Sequence, residues 1–154
     1  MKFGVSLLAA AGLVLAVAGG AYAQLDPKDA VTARISGYRE TGAAFKTIND
    51  QLKSDTPAKI MLRVSAKRIV QTSHDQYNWF PAGSGAEAGV KTKAKPAIWS
   101  DAASFKVAQD RLQQQAALMA TTVDGGDLAQ MRKQAHALGD ACAACHSKFR
   151  EKED

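Results

Sequence analysis

Apolar residues return at steps of three and four along most of the chain beyond Leu25, the spacing of a helical face rather than of a strand. The first run is Val31, Ile35, Tyr38, Gly42, Phe45, Ile48 and Leu52. It opens behind Asp26-Pro27, an N-cap residue followed by proline at the first helical position. Thr56-Pro57 repeats that start signal, and Leu62, Ala66, Ile69, Ser73, Gln76 and Phe80 make a second, more polar stripe ending near Trp79 or Phe80, before Pro81. Between Pro81 and Pro96 stand Gly83, Gly85, Gly89, Lys91, Lys93 and Lys95 with little to bury, which predicts a crossover loop. A third helix is expected from Ser100 or Asp101, with Phe105, Ala108, Leu112, Gln115, Met119 and Val123 on its face and Gly125-Gly126 as its stop. The last run is the most regular: Leu128, Met131, Ala135, Leu138, Cys142, Cys145 and Phe149, which sets both cysteines on the buried seam. No alternating β-branched run or fixed repeat competes, so the chain reads as all-α, an antiparallel four-helix bundle whose cofactor site would be built from facing helices.

The beginning of the chain has a different character. Met1 and Lys2 precede an apolar run from Val5 to Ala18, and Ala21-Tyr22-Ala23 closes it in the A-x-A form of a signal-peptidase site. Residues 1–23 are therefore expected to be a cleaved export signal and residues 24–154 the bundle domain. The run is too short for a membrane span, and no later segment is long and apolar enough to make one. In a bacterial host the product is periplasmic, where unprotected thiols tend to be oxidised. Composition adds exclusions: 154 residues with 46% hydrophobic and 23% charged content fit one globular domain, and two cysteines cannot frame a disulfide scaffold. The net charge of +5 comes without a basic stripe interleaved with aromatics, so nucleic acid is not the expected partner.

The chemistry lies at Cys142-Ala143-Ala144-Cys145-His146, the C-x-x-C-H attachment pattern of c-type haem. Two thiols three positions apart share one side of a helical turn, where each can add to a haem vinyl group, and the next residue offers an imidazole to the iron. A thioredoxin-like dithiol would belong to a βαβ setting, which is not visible here, and structural zinc would need more ligands than two cysteines and three scattered histidines provide. A thiol oxidoreductase using Cys142 and Cys145 stays as the colourless alternative.

Ala30-Val31, Arg34, the segment Ile98-Trp99-Ser100-Asp101-Ala102-Ala103-Ser104-Phe105, Gly126-Asp127-Leu128 and Cys142 to Arg150 together resemble the cytochrome c′ family. Most small c-type cytochromes carry the motif near their start, whereas here it stands near the end of a four-helix chain. The resemblance implies an up-down-up-down bundle with one covalently attached haem c per chain. It implies that His146 is the sole protein ligand of a five-coordinate, high-spin iron, with Arg150 one turn later beside it. It implies Arg34 near a haem propionate and Tyr38 over the open iron face, where many members carry an apolar residue. A tyrosine there fills the pocket but brings a hydroxyl that can donate a hydrogen bond or coordinate. The plain readings are a solvated C-terminal arginine, an exposed helix charge and an ordinary core tyrosine.

A low-spin relative uses a first-helix methionine as sixth ligand, and no methionine stands between Gln24 and Ile60. His74, late in the second helix, is the remaining rival and is expected on the surface, as is His136. Met61, Met119 and Met131 are spaced as core fillers. Trp79, Phe80 and Trp99 are expected to seal a bundle end or line a haem edge. The implied work is electron transfer, binding of nitric oxide and carbon monoxide, or both, with no enzymatic turnover. A redox partner with an acidic face and a homodimer through the first two helices complete the expectation.

Overall fold

The computed structural model describes residues 25–152, so the expected export signal lies outside the described residues. Helix α1 spans Pro27–Gln51, α2 Lys59–Asp75, the single turn α3 Ala97–Ser100, α4 Ala102–Gly125 and α5 Leu128–Phe149. Short 3-10 turns at Gln76–Asn78 and Ala86–Ala88 interrupt the crossover between α2 and α3. Helix α1 packs on α2, α2 on α4 and α4 on α5. Their directions follow from side chains that tie the ends. Arg63 near the start of α2 bonds Asp124 at the end of α4 at 2.8 Å, and Tyr77, just past α2, bonds Asp110 in the first half of α4 at 2.6 Å. Arg132 in the first turns of α5 donates to Leu52 O behind α1 at 2.9 Å. The long helices thus alternate in direction, as an up-down-up-down bundle requires.

Local chemistry sets most boundaries. Asp26, Asp101 and Asp127 accept from Lys28 N, Ser104 N and Gln130 N, capping α1, α4 and α5. Gly126 ends α4 at φ +84°, a left-handed turn that a side chain would resist. Helix α2 starts later than Thr56-Pro57 suggests. Its N-cap is Ala58, which has no side chain to cap with, while Gln51 Oε1 accepts from Ala58 N at 2.8 Å and holds the turn from the end of α1.

The core has two parts. An aliphatic cluster of Ile48, Leu62, Ile69, Met119, Val123 and Leu138 fills the middle of the bundle, and a smaller aromatic cluster of Ile98, Phe105 and Phe149, flanked by Phe80 and Trp99, closes one end. The buried face of α1 is turned from the expected stripe. It runs Ala30, Val31, Arg34, Gly37, Thr41, Ala44 and Ile48, with Gly42 exposed and Ile35, Tyr38 and Phe45 half-buried. The cause is Trp79, whose indole lies so close to Gly37 that an added Cβ would be 2.8 Å from its Cζ3 and nearer still to Cη2. Small and polar residues form this seam because a large ring from elsewhere occupies it.

Three other expectations are corrected. Met61 does not fill the core: it is 46% exposed, beside exposed Ile60 and Val64 on the outer face of α2, whereas Met119 and Met131 are buried. On α4, Gln109 and Ala116 are buried where Ala108 and Gln115 were expected, and those two are half-buried. The crossover loop, far from having little to bury, encloses Pro81, Ser84, Gly85 and Ala88. Its far end pairs with the C-terminus: Lys95 N donates to Phe149 O at 3.0 Å and Glu151 N to Lys93 O at 2.8 Å around an antiparallel bridge of Ala94 with Arg150.

Candidate functional site

Cys142 and Cys145 sit on the last turns of α5, half-buried, and they straddle the two parts of the core. Cys142 packs against the aliphatic cluster and Cys145 against the aromatic one. Burial pushes both thiols up, Cys145 to about 11 with Cys142 adding to it. They are therefore protonated at neutral pH, the opposite of the depressed thiol that drives disulfide exchange.

His146 follows on the outward side of the same turn, beside a shallow recess lined by Ser147, Arg150, Glu151 and Lys152. Partial burial and then the Arg150 guanidinium lower its pKa, which favours the neutral imidazole that a metal ligand must be. Arg150 makes the last helical bond, donating its N–H to His146 O at 3.1 Å, but its own backbone is already extended at φ −120°, ψ 135°. The turn that the sequence places between these two residues is thus also the point where the chain leaves the helix. Among the described residues no three His, Cys, Asp or Glu side chains converge as a metal cluster, so a multi-ligand zinc site lacks donors.

Arg34 and Tyr38 come from α1. Arg34 is only 3% exposed, and its guanidinium donates to Ser84 Oγ at 3.1 Å, Thr92 Oγ1 at 2.8 Å and Trp79 O at 3.4 Å. Its carbon also lies 5.1 Å from the Phe80 ring centroid. All three acceptors are neutral, and desolvation lowers its pKa, with Tyr38 and Glu87 opposing weakly. A buried cation bonded only to neutral oxygens is suited to an anionic group such as a carboxylate. Arg34 is therefore not the exposed helix charge of the plainer reading.

Tyr38 is half-buried, its ring edge-on to Trp79 at 5.2 Å and 86° and 6.3 Å from Phe80. Burial raises its phenol pKa first, the neighbouring Cys145 and Cys142 add to the rise, and Arg34 lowers it. Tyr38 from α1 and Cys142 from α5 pack against the same aliphatic cluster. Its hydroxyl donates to Gln76 Oε1 at 3.1 Å.

The structure brings Cys142, Cys145, Tyr38 and Arg34 to one end of the bundle with Phe80, Trp99, Phe105 and Phe149, and sets His146 and Arg150 at its rim. Two thiols three apart, an adjoining imidazole, flat aromatic walls and a buried cation hydrogen-bonded only to neutral oxygens form a donor set that fits a covalently held porphyrin with acidic side groups. The rivals for iron lie elsewhere: His74 is exposed and accepts from Gln113 Nε2 at 2.7 Å on Nδ1, and His136 is exposed. Trp99 donates its indole N–H to Phe80 O and Pro81 O, sealing the aromatic end as expected. Sequence reasoning missed the partners of Arg34, Ser84 and Thr92, and the buried amides of Gln76 and Gln109. Only the presence of Gln76 on a helical stripe hinted at them.

Comparison with known proteins bears on this arrangement. The family described as "Cytochrome C'" matches residues 29–150. A cytochrome c′ of Rhodospirillum rubrum is 35% identical over 125 residues, covering 81% of this chain and 84% of that protein. Among solved structures, cytochrome c′ from Thermochromatium tepidum superposes with a TM-score of 0.79 at 22% identity, covering 84% of this chain and all of that one, a likeness of fold. A mutant of cytochrome c prime from Alcaligenes xylosoxidans, solved as its nitric oxide complex, gives a TM-score of 0.74 at 29% identity over 82% of this chain and 98% of that one.

Proposed function

The chain belongs to the cytochrome c′ family, and on that premise we propose that it is an exported, five-coordinate haem protein that binds nitric oxide and carbon monoxide and passes single electrons. The family carries covalently attached haem c. When bound, that group supplies an iron that cycles between ferric and ferrous states and can take a diatomic ligand where the protein leaves an axial position open.

The observation that supports the reading is the run of Cys142, Cys145 and His146 on the last turns of α5, with Tyr38 of α1 packed against the same aliphatic cluster as Cys142. Cys142 and Cys145 form the thioether links. His146 is the one protein ligand, and Arg150 beside it restricts approach from that side. Arg34 receives an acidic side group of the porphyrin. Tyr38 covers the open face and limits the size and polarity of what enters. No methionine replaces it: Met119 and Met131 are buried in the packed core and Met61 points outward. The protein is a carrier and binder, with no turnover chemistry of its own.

Residues 1–23 direct export, cleavage before Gln24 releases the bundle, and the working compartment is the periplasm. Among the described residues no helix is long and apolar enough to cross a membrane. Val64 on α2 lines a shallow groove with Ala43, Thr47, Ser65 and the ion-paired Glu40 and Arg68, exposed Ile60 and Met61 precede it on the same helix, and this supports a homodimer through the first two helices. A redox partner with an acidic face is steered by the net positive charge.

The deciding experiment is an optical and mass measurement on the protein matured in its native host. A Soret band of high-spin type and the added mass of one haem are expected. A low-spin spectrum would remove the open site, and absence of the added mass would remove the haem reading of Cys142 and Cys145.

A further inference from the structure

The buried amide of Gln76 is held in one orientation. Gln76 is 1% exposed. Its Nε2 donates to Ser73 O at 2.9 Å and Gln109 O at 3.2 Å, and Gln109 returns the bond, its Nε2 donating to Gln76 O at 3.3 Å. Backbone carbonyls only accept, so an amide turned the other way would set an oxygen against two oxygens and leave its nitrogen facing a phenol. The reciprocal bonds across α2 and α4 therefore force Oε1 toward α1, where it meets the Tyr38 hydroxyl at 3.1 Å. A phenol has one proton to give, and this contact uses it.

We propose that Gln76 is a positioning residue that sets which gases the site accepts: by taking the Tyr38 proton contact, it leaves only phenolic lone pairs for a ligand entering beside that ring. The inference rests on the reading of Tyr38 as the residue over the open face. Dioxygen as a ligand draws negative charge onto its outer atom and depends on a hydrogen-bond donor. Nitric oxide and carbon monoxide depend on one far less. A tyrosine whose hydroxyl is already committed thus behaves toward ligands as an apolar wall with an acceptor on it, although the residue itself is polar. The polar residue at this position thus offers an entering ligand no proton, which favours nitric oxide and carbon monoxide over dioxygen.

The test uses the haem-loaded protein in its ferrous carbon monoxide form and reads the C–O stretching frequency together with gas dissociation rates. In Gln76→Leu the phenolic proton is released, so the C–O stretch should fall and dissociation should slow by roughly tenfold, the worth of one gained hydrogen bond. In Tyr38→Phe combined with Gln76→Leu that change should vanish. A merely structural role would lower the unfolding midpoint without moving the stretch. An unchanged stretch in Gln76→Leu while Tyr38→Phe alone shifts ligand rates overturns the inference and leaves Tyr38 over the open face; no effect of either variant overturns both. Should the substitutions prevent folding, amide exchange of the wild-type carbon monoxide form decides: both Gln76 side-chain protons should exchange more slowly than those of exposed Gln130. Equal rates overturn the proposal.

Discussion

The outer edge of the Trp79 ring presses against the α1 backbone at Gly37, a fit that only a missing Cβ permits. The same indole meets Tyr38 edge-on, and its backbone carbonyl accepts from Arg34, so one glycine sets the position of two site residues on its own helix. Gly37→Ala should force the ring out and lower stability by about 1–3 kcal/mol, the usual cost of overpacking. Denaturant unfolding measures it, and ligand rates should change with it. An unchanged unfolding midpoint would show that the ring can yield freely.

Tyr38→Leu should change the rates at which nitric oxide and carbon monoxide bind, because it alters both bulk and polarity at the open face. It also leaves Gln76 Oε1 buried without its donor, a loss of about 1–3 kcal/mol. Stopped-flow kinetics and thermal unfolding give separate readouts. Unaltered gas kinetics with lowered stability would make Tyr38 ordinary core.

Arg34→Met should loosen the crossover loop, since Ser84 and Thr92 lose the group that holds them to α1. Amide exchange across residues 81–96 should rise. With haem attached, loss of a buried cation disfavours the more negative, reduced state, so the midpoint potential should fall. A potential equal to wild type would separate Arg34 from the cofactor's acidic groups.

Ile60→Glu places a charge in the exposed apolar strip of α2 and should shift a dimer to monomer without altering the spectrum. Sedimentation at several concentrations checks this. Identical association in both proteins would move the interface off α2.

Acid should weaken the bundle in a defined direction. Hydrogen bonds from Lys46 and Lys53 hold Asp50 down to about 2 from 3.8, and Asp101, which caps α4 and pairs with Lys148 at 2.7 Å, is lowered likewise. Because both folded values lie below the unfolded ones, their contribution is complete above the unfolded pKa and is lost as pH falls through the folded one. The melting temperature should therefore drop below about pH 4, and Asp50→Asn should flatten part of that limb. Both groups are solvent-facing, so the effect is small and shrinks further in salt. A melting temperature constant down to pH 2 would contradict it.

Four helices and the C-x-x-C-H turn were legible because their signals are local: a period of three to four, an Asp cap, a glycine stop, five consecutive residues. The parts that were not legible depend on residues far apart in sequence. Nothing near Gly37 announces that Trp79 will fill its seam, so the stripe through Ile35 and Gly42 looked better than the true one. Arg34 reads as a surface charge until the loop carrying Ser84 and Thr92 folds over it. Gln51 caps α2 from seven residues away, so Thr56-Pro57 misplaced the start by two residues. Gln76 looked like tolerated polarity on an apolar stripe and Gln109 fell beside the expected face of its helix, because neither shows alone that it has a buried partner.

The pairing of Ala94 with Arg150 joins the crossover loop to the residue that follows α5. A polypeptide that emerges amino-terminus first brings Arg150 well after Ala94, so the aromatic end stays unlatched until all of α5 has followed. Cys142 and Cys145 lie just ahead of the latch, and the order in which the chain emerges leaves them reachable until the moment it closes.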